Sequence, residues 1–133
     1  MLELKIQDLR LRGRGFTLFK AAEENEVNED LMDFLVFTIY QKLGLCSDNY
    51  AETEKVKEKN PAIPDTILVE DLSESAYSGE YDVQDLLDSN LVTQDGNVLK
   101  LTEKSVAILN RAAELQRKLD NEGFYCCPCC RNN

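Results

Sequence analysis

The clearest structural pattern in this chain is LLDSNLVTQDGNVLKLTEKSVAIL, which occupies residues 86–109. Runs in which apolar residues alternate with polar ones flank Asp95-Gly96, a dipeptide that favours a tight type I′ turn between antiparallel strands. With that dipeptide as the loop, Val92 pairs with Leu99. Val92, Leu99 and Leu101 then share one face, so the sequence predicts a β-hairpin with one apolar side.

A helix is predicted on each side of this hairpin. Before it, Ser78 can cap GEYDVQDLLDS (79–89), and Asn90 tolerates the left-handed conformation with which many helices end. After it, Thr102 can cap EKSVAILNRAAELQRKLDN (103–121), a long amphipathic helix. The apolar stripe of this long helix comprises Leu101, Ile108, Ala112, Leu115 and Leu119.

This helix, hairpin and helix over residues 78–119 resemble the end of many bacterial and phage winged-helix proteins. In those proteins a recognition-type helix ends in Leu-Leu, an Asn or Gly introduces Leu-Val, a hairpin forms the wing, and Leu-Thr-Glu-Lys opens a closing helix. The matching residues here are Leu86, Leu87, Asn90, Leu91, Val92, Asp95, Gly96 and Leu101 to Lys104. The resemblance implies an α+β, winged-helix-like domain over residues 25–123, in which helices from residue 29 and over 65–76 precede the recognition-type helix.

The segment before the recognition-type helix supplies candidates for those earlier helices. Asn28 can cap LMDFLVFTIYQKLG (31–44), which is apolar on almost every side and should therefore form a buried helix that ends at Gly44. The polar stretch AETEKVKEK (51–59) predicts a short exposed helix. Asp65 can cap a further short helix through TILVEDLSESA.

Residues 1–24 are predicted to form a strand and hairpin arm. Leu2, Leu4 and Ile6 alternate with polar neighbours, which is the pattern of a half-buried strand. RGRG (12–15) supplies turn glycines, and FTLF can return as a second strand. The predicted α+β fold thus has an amino-terminal hairpin and a long carboxy-terminal helix.

The net charge of −10 is concentrated in the middle of the chain. Residues 1–20 carry +3, residues 21–99 carry −15 and residues 100–133 carry +2. A nucleic acid would be attracted to the two ends and repelled by the middle.

The recognition-type helix departs from the family pattern because it carries acids and no Lys or Arg. Each acid would oppose the phosphate attraction on which DNA binding depends, which makes nucleic acid a doubtful partner. An acidic helix with a neighbouring aromatic side chain suits a basic protein surface. The predicted partner-binding residues are Glu80, Tyr81, Gln84, Asp85 and Asp88.

Two alternatives concern DNA and self-association. One is a dimeric DNA-binding transcriptional regulator that reads DNA through Arg10, Arg12, Arg14, Lys100 and Lys104. Independently of DNA, the helix over 103–119 offers a surface for a homodimer, or its apolar stripe covers the amino-terminal segment of the same chain.

Catalysis is not expected. The chain has no histidine, no phosphate-binding loop and no nucleophile elbow, so we predict a non-catalytic regulatory or adaptor protein without a cofactor. The tail over 124–133 contains CCPCC, whose overlapping C-x-x-C pairs leave metal binding, thiol chemistry and incidental cysteines open, and no metal site is predicted. With no long apolar run and no recognisable signal peptide, a cytoplasmic protein without a membrane partner is expected.

Overall fold

A computed structural model describes residues 4–9, 16–44, 50–73 and 81–122. The elements in these ranges are α1 Ile6–Leu9, α2 Phe16–Glu24, α3 Glu29–Lys42, α4 Tyr50–Lys59, β1 Thr66–Leu68, α5 Val69–Ser73, α6 Val83–Asp88, β2 Val92–Asp95, β3 Val98–Leu101 and α7 Glu103–Glu122. The predicted α+β class is confirmed, and the arrangement is compatible with a winged-helix-like fold.

The three strands form one antiparallel sheet in the order β1-β3-β2. Asp95 pairs with Val98 and Val92 pairs with Leu101, so the predicted register, with Val92 opposite Leu99, is wrong by two residues. The loop is Gly96-Asn97, with a positive φ of 62° at Gly96 alone, which matches a type II′ turn that begins with glycine. Because a shift of two residues keeps every side chain on its face, the predicted apolar face of Val92, Leu99 and Leu101 is confirmed as buried.

Strand β1 occupies the start of a segment predicted to be helical throughout. Ile67 pairs with Leu99 at the centre of the sheet and is 1% exposed. The β-branched residues Thr66 and Ile67 suit a strand, and the free edge of β3 supplies the partner that local propensity could not reveal. The helix begins only at Val69, where the Leu68 amide donates to Asp71 Oδ2 at 2.8 Å.

The predicted amino-terminal hairpin is wrong, because α2 occupies the predicted return strand and α1 begins at Ile6. Among the described residues of the predicted first strand, Lys5 alone forms an antiparallel bridge, with Ala62. Leu18, Ala21 and Ala22 recur with helical spacing and are fully buried, whereas the short run FTLF suggested a strand when it was taken without the alanines that follow. The RGRG turn lies outside the described residues. Leu4 instead accepts a hydrogen bond from the Ile63 amide at 2.7 Å.

Helix α3 confirms the prediction of a buried central helix. The Asn28 side chain accepts from the amides of Asp30 and Leu31, and the helix is followed by Gly44 with a φ of 88°. Phe34 is fully buried, as are several of its neighbours. The exposed helix predicted over 51–59 is also confirmed, as α4.

Helix α7 closes the structure by packing against α1 and α2. Its start is capped as predicted, since Thr102 Oγ1 accepts from the Ser105 amide at 3.3 Å. As far as Lys118, its buried residues are Ser105, Ile108, Leu109, Ala112 and Ala113. Among the described residues, no helix is both long enough and apolar enough to cross a membrane.

Candidate functional site

The predicted partner-binding residues surround α6, which begins later than the sequence suggested. Asp82, and not Ser78, is the N-cap: Asp82 Oδ1 accepts from the Asp85 amide at 3.2 Å. Asp85 Oδ2 in turn accepts from the Asp82 amide at 2.8 Å, which completes a reciprocal capping box. The spacing D-x-x-D over residues 82–85 is the signal that could have located this start.

The end of α6 is fixed equally firmly. Asn90 has a φ of 59°, as its predicted role at the helix end requires. The amide of Asn90 donates to the Leu87 carbonyl and that of Leu91 to the Leu86 carbonyl, each at 3.0 Å, in a Schellman arrangement. Thr102 Oγ1 then donates to the Asn90 carbonyl at 2.6 Å, which ties the end of α6 to the start of α7.

The capping network divides the predicted site into surface and structural residues. Gln84 and Asp88 are exposed and linked, because Gln84 Nε2 donates to Asp88 Oδ1 at 2.8 Å. Asp85 is half-buried in its capping role, and Glu80 lies outside the described residues. Tyr81 is also half-buried, and its ring centroid lies 6.0 Å from that of Phe34.

One exposed acid was missing from the predicted set, and it completes the surface. Asp82 is exposed beside the first turn of the helix. We refer to Asp82, Gln84 and Asp88 as the α6 surface. Leu86, on the opposite side, is fully buried and anchors the helix to the core.

The α6 surface lies within a long stretch of chain whose charged side chains are all negative. Between Lys59 and Lys100 the sequence contains nine acids and no base. Helix α6 packs against β2, where Asp95 adds a further exposed carboxylate. A cationic partner would therefore be attracted to this region, whereas phosphate would be repelled.

The lysines proposed for DNA binding lie on other elements. Lys100 is exposed on the central strand, where it pairs with Thr66 on one side and Thr93 on the other. Lys104 is half-buried in the first turn of α7. Arg10, Arg12 and Arg14 lie outside the described residues. Helix α6 itself contains no Lys or Arg.

Ion pairs between described residues link neighbouring helices. Arg111 on α7 makes a two-pronged contact with Glu24 on α2, at 2.8 and 3.3 Å, and the hydrogen bond from Arg111 lowers the pKa of Glu24. Lys42 Nζ lies 2.9 Å from Asp71 Oδ2. Burial tends to raise the pKa of Asp71, but hydrogen bonds from the Leu68 amide and Lys42 outweigh it and leave that pKa below its ordinary value.

Metal ligation is not indicated in the part of the chain that the structure describes, since no group of three His, Cys, Asp or Glu side chains is arranged to hold an ion. The CCPCC segment lies outside that part. No protein-family model, curated protein or solved structure was found to match the chain.

Proposed function

We propose that this chain is a non-catalytic regulatory or adaptor module that binds a basic protein surface through α6. The order of elements from α3 to α7 supports a winged-helix-like arrangement in which α6 takes the recognition position and β2 and β3 form the wing. The function rests on the surface of α6 and not on the fold, because one fold serves many functions.

The observation that carries the proposal is the charge of the α6 surface. Asp82 and Asp88 are exposed, and the forty residues from 60 to 99 contain no Lys or Arg. Several unbalanced carboxylates attract Lys and Arg side chains and raise the rate at which a basic partner docks. A DNA duplex would encounter the same carboxylates as a repulsive barrier.

The rigidity of α6 supports the same conclusion. Hydrogen bonds fix both ends of the helix, and the Gln84 amide orients the Asp88 carboxylate. A surface that is already ordered loses less conformational entropy when a partner binds. The α6 surface is therefore suited to recognition without rearrangement.

The test replaces Asp88 with lysine and compares it with Glu58→Lys on α4. Both residues are exposed on helices, which matches their surroundings. Because each variant replaces an acid with lysine, the two variants change the net charge equally. Asp88 is the last residue of α6, where the helix dipole favours a cation, so the fold should be retained. The probe is a fluorescent peptide of alternating Lys and Thr (KTKTKTKTK), and its binding is followed by anisotropy.

We expect Asp88→Lys to weaken peptide binding about threefold to tenfold at low salt, since one exposed attraction is lost and a repulsion replaces it. Glu58→Lys should change it much less. Equal weakening in both variants would contradict the proposal, because it would reflect net charge alone. Binding of duplex DNA with a steep salt dependence would favour the alternative of a DNA-binding regulator.

A further inference from the structure

The tip of the hairpin formed by β2 and β3 carries a chemical feature that the α6 surface does not use. Asp95-Gly96 is the only place in the chain where glycine follows an aspartate or an asparagine. In such a pair the main-chain nitrogen of the glycine can attack the aspartate side chain, because glycine has no side chain to shield that nitrogen. The product is a five-membered cyclic imide, a succinimide, which water then opens.

Both reacting groups are accessible at this tip. Asp95 and Gly96 are exposed, and a Cβ built on Gly96 would meet no neighbouring atom within 4 Å. Among the described residues, neither the Asp95 carboxylate nor the Gly96 amide has a hydrogen-bond or ionic partner. Gln94 Nε2 donates to the Gly96 carbonyl at 3.1 Å, which leaves the amide of that glycine unoccupied.

The position of Asp95 at the end of the ladder allows the backbone movement that ring closure needs. Closure requires Asp95 to rotate out of its extended conformation, so that its side-chain carbon reaches the next nitrogen. Asp95 and Val98 form the last pair before the two-residue loop, so opening this one pair leaves the pair of Gln94 and Leu99 in place. Exposed hydrogen bonds at the end of an element open at a much lower free energy than global unfolding.

The acids around α6 are held more tightly than Asp95. The Asp88 carboxylate accepts from Gln84, and the amide that follows Asp88, that of Ser89, donates to the Asp85 carbonyl at 3.1 Å. The carboxylates of Asp82 and Asp85 are occupied by each other's amides in the capping box. Asp95 therefore differs from these acids in its contacts as well as in the residue that follows it.

We propose that Asp95 is a site of spontaneous conversion to isoaspartate. The Gly96 nitrogen forms a bond to Cγ of the carboxyl group in its acid form and gives up its proton, and the bond from Cγ to the hydroxyl oxygen breaks, so one water molecule leaves. A second water molecule then opens the imide. Attack at Cγ restores aspartate, whereas attack at the main-chain carbonyl carbon gives isoaspartate. No co-reactant other than water is needed.

The conversion changes the geometry of the hairpin tip without changing its charge. Isoaspartate adds one atom to the main chain between Asp95 and Gly96, and the carbonyl that pairs with Val98 becomes part of a free carboxylate. The closing pair of the hairpin is thereby lost. Because α6 packs against β2, the altered tip belongs to the strand that supports the α6 surface. The inference itself is independent of the proposed function, since the reaction takes place without a partner.

Incubation of the full chain at neutral pH in water enriched in oxygen-18 tests the proposal. Each cycle of imide formation and hydrolysis leaves one heavy oxygen atom at the reacting residue, and fragmentation in a mass spectrometer locates it. We expect the label to accumulate at Asp95 ahead of Asp82, Asp85 and Asp88. Methylation by a carboxyl methyltransferase specific for isoaspartate measures how much of the labelled protein has been converted.

The matched variant is Asp95→Glu, which keeps the charge and adds one methylene group. A six-membered imide closes far more slowly than a five-membered one, so this variant should lose the label at residue 95. The same incubation in guanidinium chloride reports on the unfolded chain. Folding should suppress the label at Asp88 more strongly than at Asp95, because the amide that follows Asp88 is hydrogen-bonded only in the folded protein.

The outcomes separate this inference from the proposed function. An unlabelled Asp95 in the folded protein would overturn it, as would a label that persists at residue 95 in Asp95→Glu. Equal suppression by folding at Asp95 and Asp88 would show that the closing pair does not open, which would also overturn it. None of these measurements involves the basic peptide, so each result leaves the test of the α6 surface unaffected.

Discussion

At the scale of single residues, Glu26 adopts a left-handed backbone conformation that residues other than glycine rarely adopt. It follows α2 with a φ of 58°, a conformation that costs a side chain other than glycine about 1–2 kcal/mol. Its amide donates to the Glu23 carbonyl, and the Val27 amide donates to the Ala22 carbonyl, so the position is fixed by hydrogen bonds. The cost is therefore built into the folded state.

We expect Glu26→Gly to raise the free energy of unfolding by about 0.5–1 kcal/mol, because relief of the strained φ exceeds the extra freedom of glycine in the unfolded chain. Urea titration measures the change as a higher midpoint at an unchanged slope. Glu23→Gly, inside α2, is the matched control and should lower stability by about 1 kcal/mol. A loss of stability in Glu26→Gly would contradict this account of the helix end.

Individual residues also show what the sequence could reveal about the site. The acidity of α6 and the role of Asn90 could be predicted, because composition and a left-handed preference are local properties of the sequence. Which acids cap the helix and which face solvent could not be predicted. Asp85 became a capping residue and Tyr81 a neighbour of Phe34 only because the helix starts at Val83, which depends on how the preceding chain approaches the core.

At the scale of elements, α2 and α7 both carry small buried side chains. Each helix contributes two fully buried alanines, and the two helices pack directly against each other. Ala112 is fully buried on α7, whereas Ala107 on the same helix is exposed. A close helix contact of this kind tolerates little added volume.

Ala112→Leu should therefore lower the free energy of unfolding by about 1–3 kcal/mol, because three more carbon atoms must be fitted into a filled core. Ala107→Leu changes the same atoms at an exposed position and should stay within about 0.5 kcal/mol of the unaltered protein. Thermal or urea unfolding compares the two variants. Equal stability would show that Ala112 does not face a packed neighbour.

The pair of Arg111 and Glu24 makes the contact between α2 and α7 dependent on pH. Its hydrogen bond holds the pKa of Glu24 below 4.5 in the folded state, so the stabilisation is complete above that pH and disappears as pH falls through the lower folded value. Glu24→Gln should thus lower stability at neutral pH and lose its effect in acid. Because the pair is exposed, high salt should also reduce the difference.

Unfolding of Glu24→Gln and the unaltered protein at several pH values tests this expectation. Glu23→Gln, which removes an exposed acid without an ion pair to Arg111, serves as control. A difference between Glu24→Gln and the unaltered protein that persists undiminished in acid would show that the carboxylate is not its origin.

The elements also differ in how far local sequence determined them. Helices α3 and α7 were predicted with their caps, because each has a long apolar pattern and a capping residue of its own. Strand β1 and helix α2 were missed, because TIL is too short for a clear period and FTLF fits either structure. Both were decided by distant partners: β3 for the strand and α7 for the helix.

At the scale of the whole molecule, α7 uses much of its apolar stripe within the chain. Ile108 and Ala112 are fully buried where the helix packs against α1 and α2, as expected for a helix that covers the amino-terminal segment. A homodimer through residues 103–119 stays a prediction. Such a dimer would have to use residues outside this buried stripe and overcome the repulsion between two chains of charge −10.

The charge distribution of the whole chain includes a second acidic region, which is an alternative binding site for a cationic partner. This region is the junction of α2 and α3, where residues 23–30 contain five acids and no base. One of them, Glu24, is already paired with Arg111. If net attraction alone governed binding, this junction would compete with α6 for any cationic partner.

The most direct test of the proposed function is therefore an amide-resolved NMR titration of the full chain with KTKTKTKTK. We expect the chemical-shift changes to concentrate over residues 82–95, from the N-cap of α6 to the end of β2, and to require a higher peptide concentration in Asp88→Lys than in Glu58→Lys. Changes that concentrate over residues 23–30, or that spread over all exposed acids, would contradict the assignment of partner binding to α6.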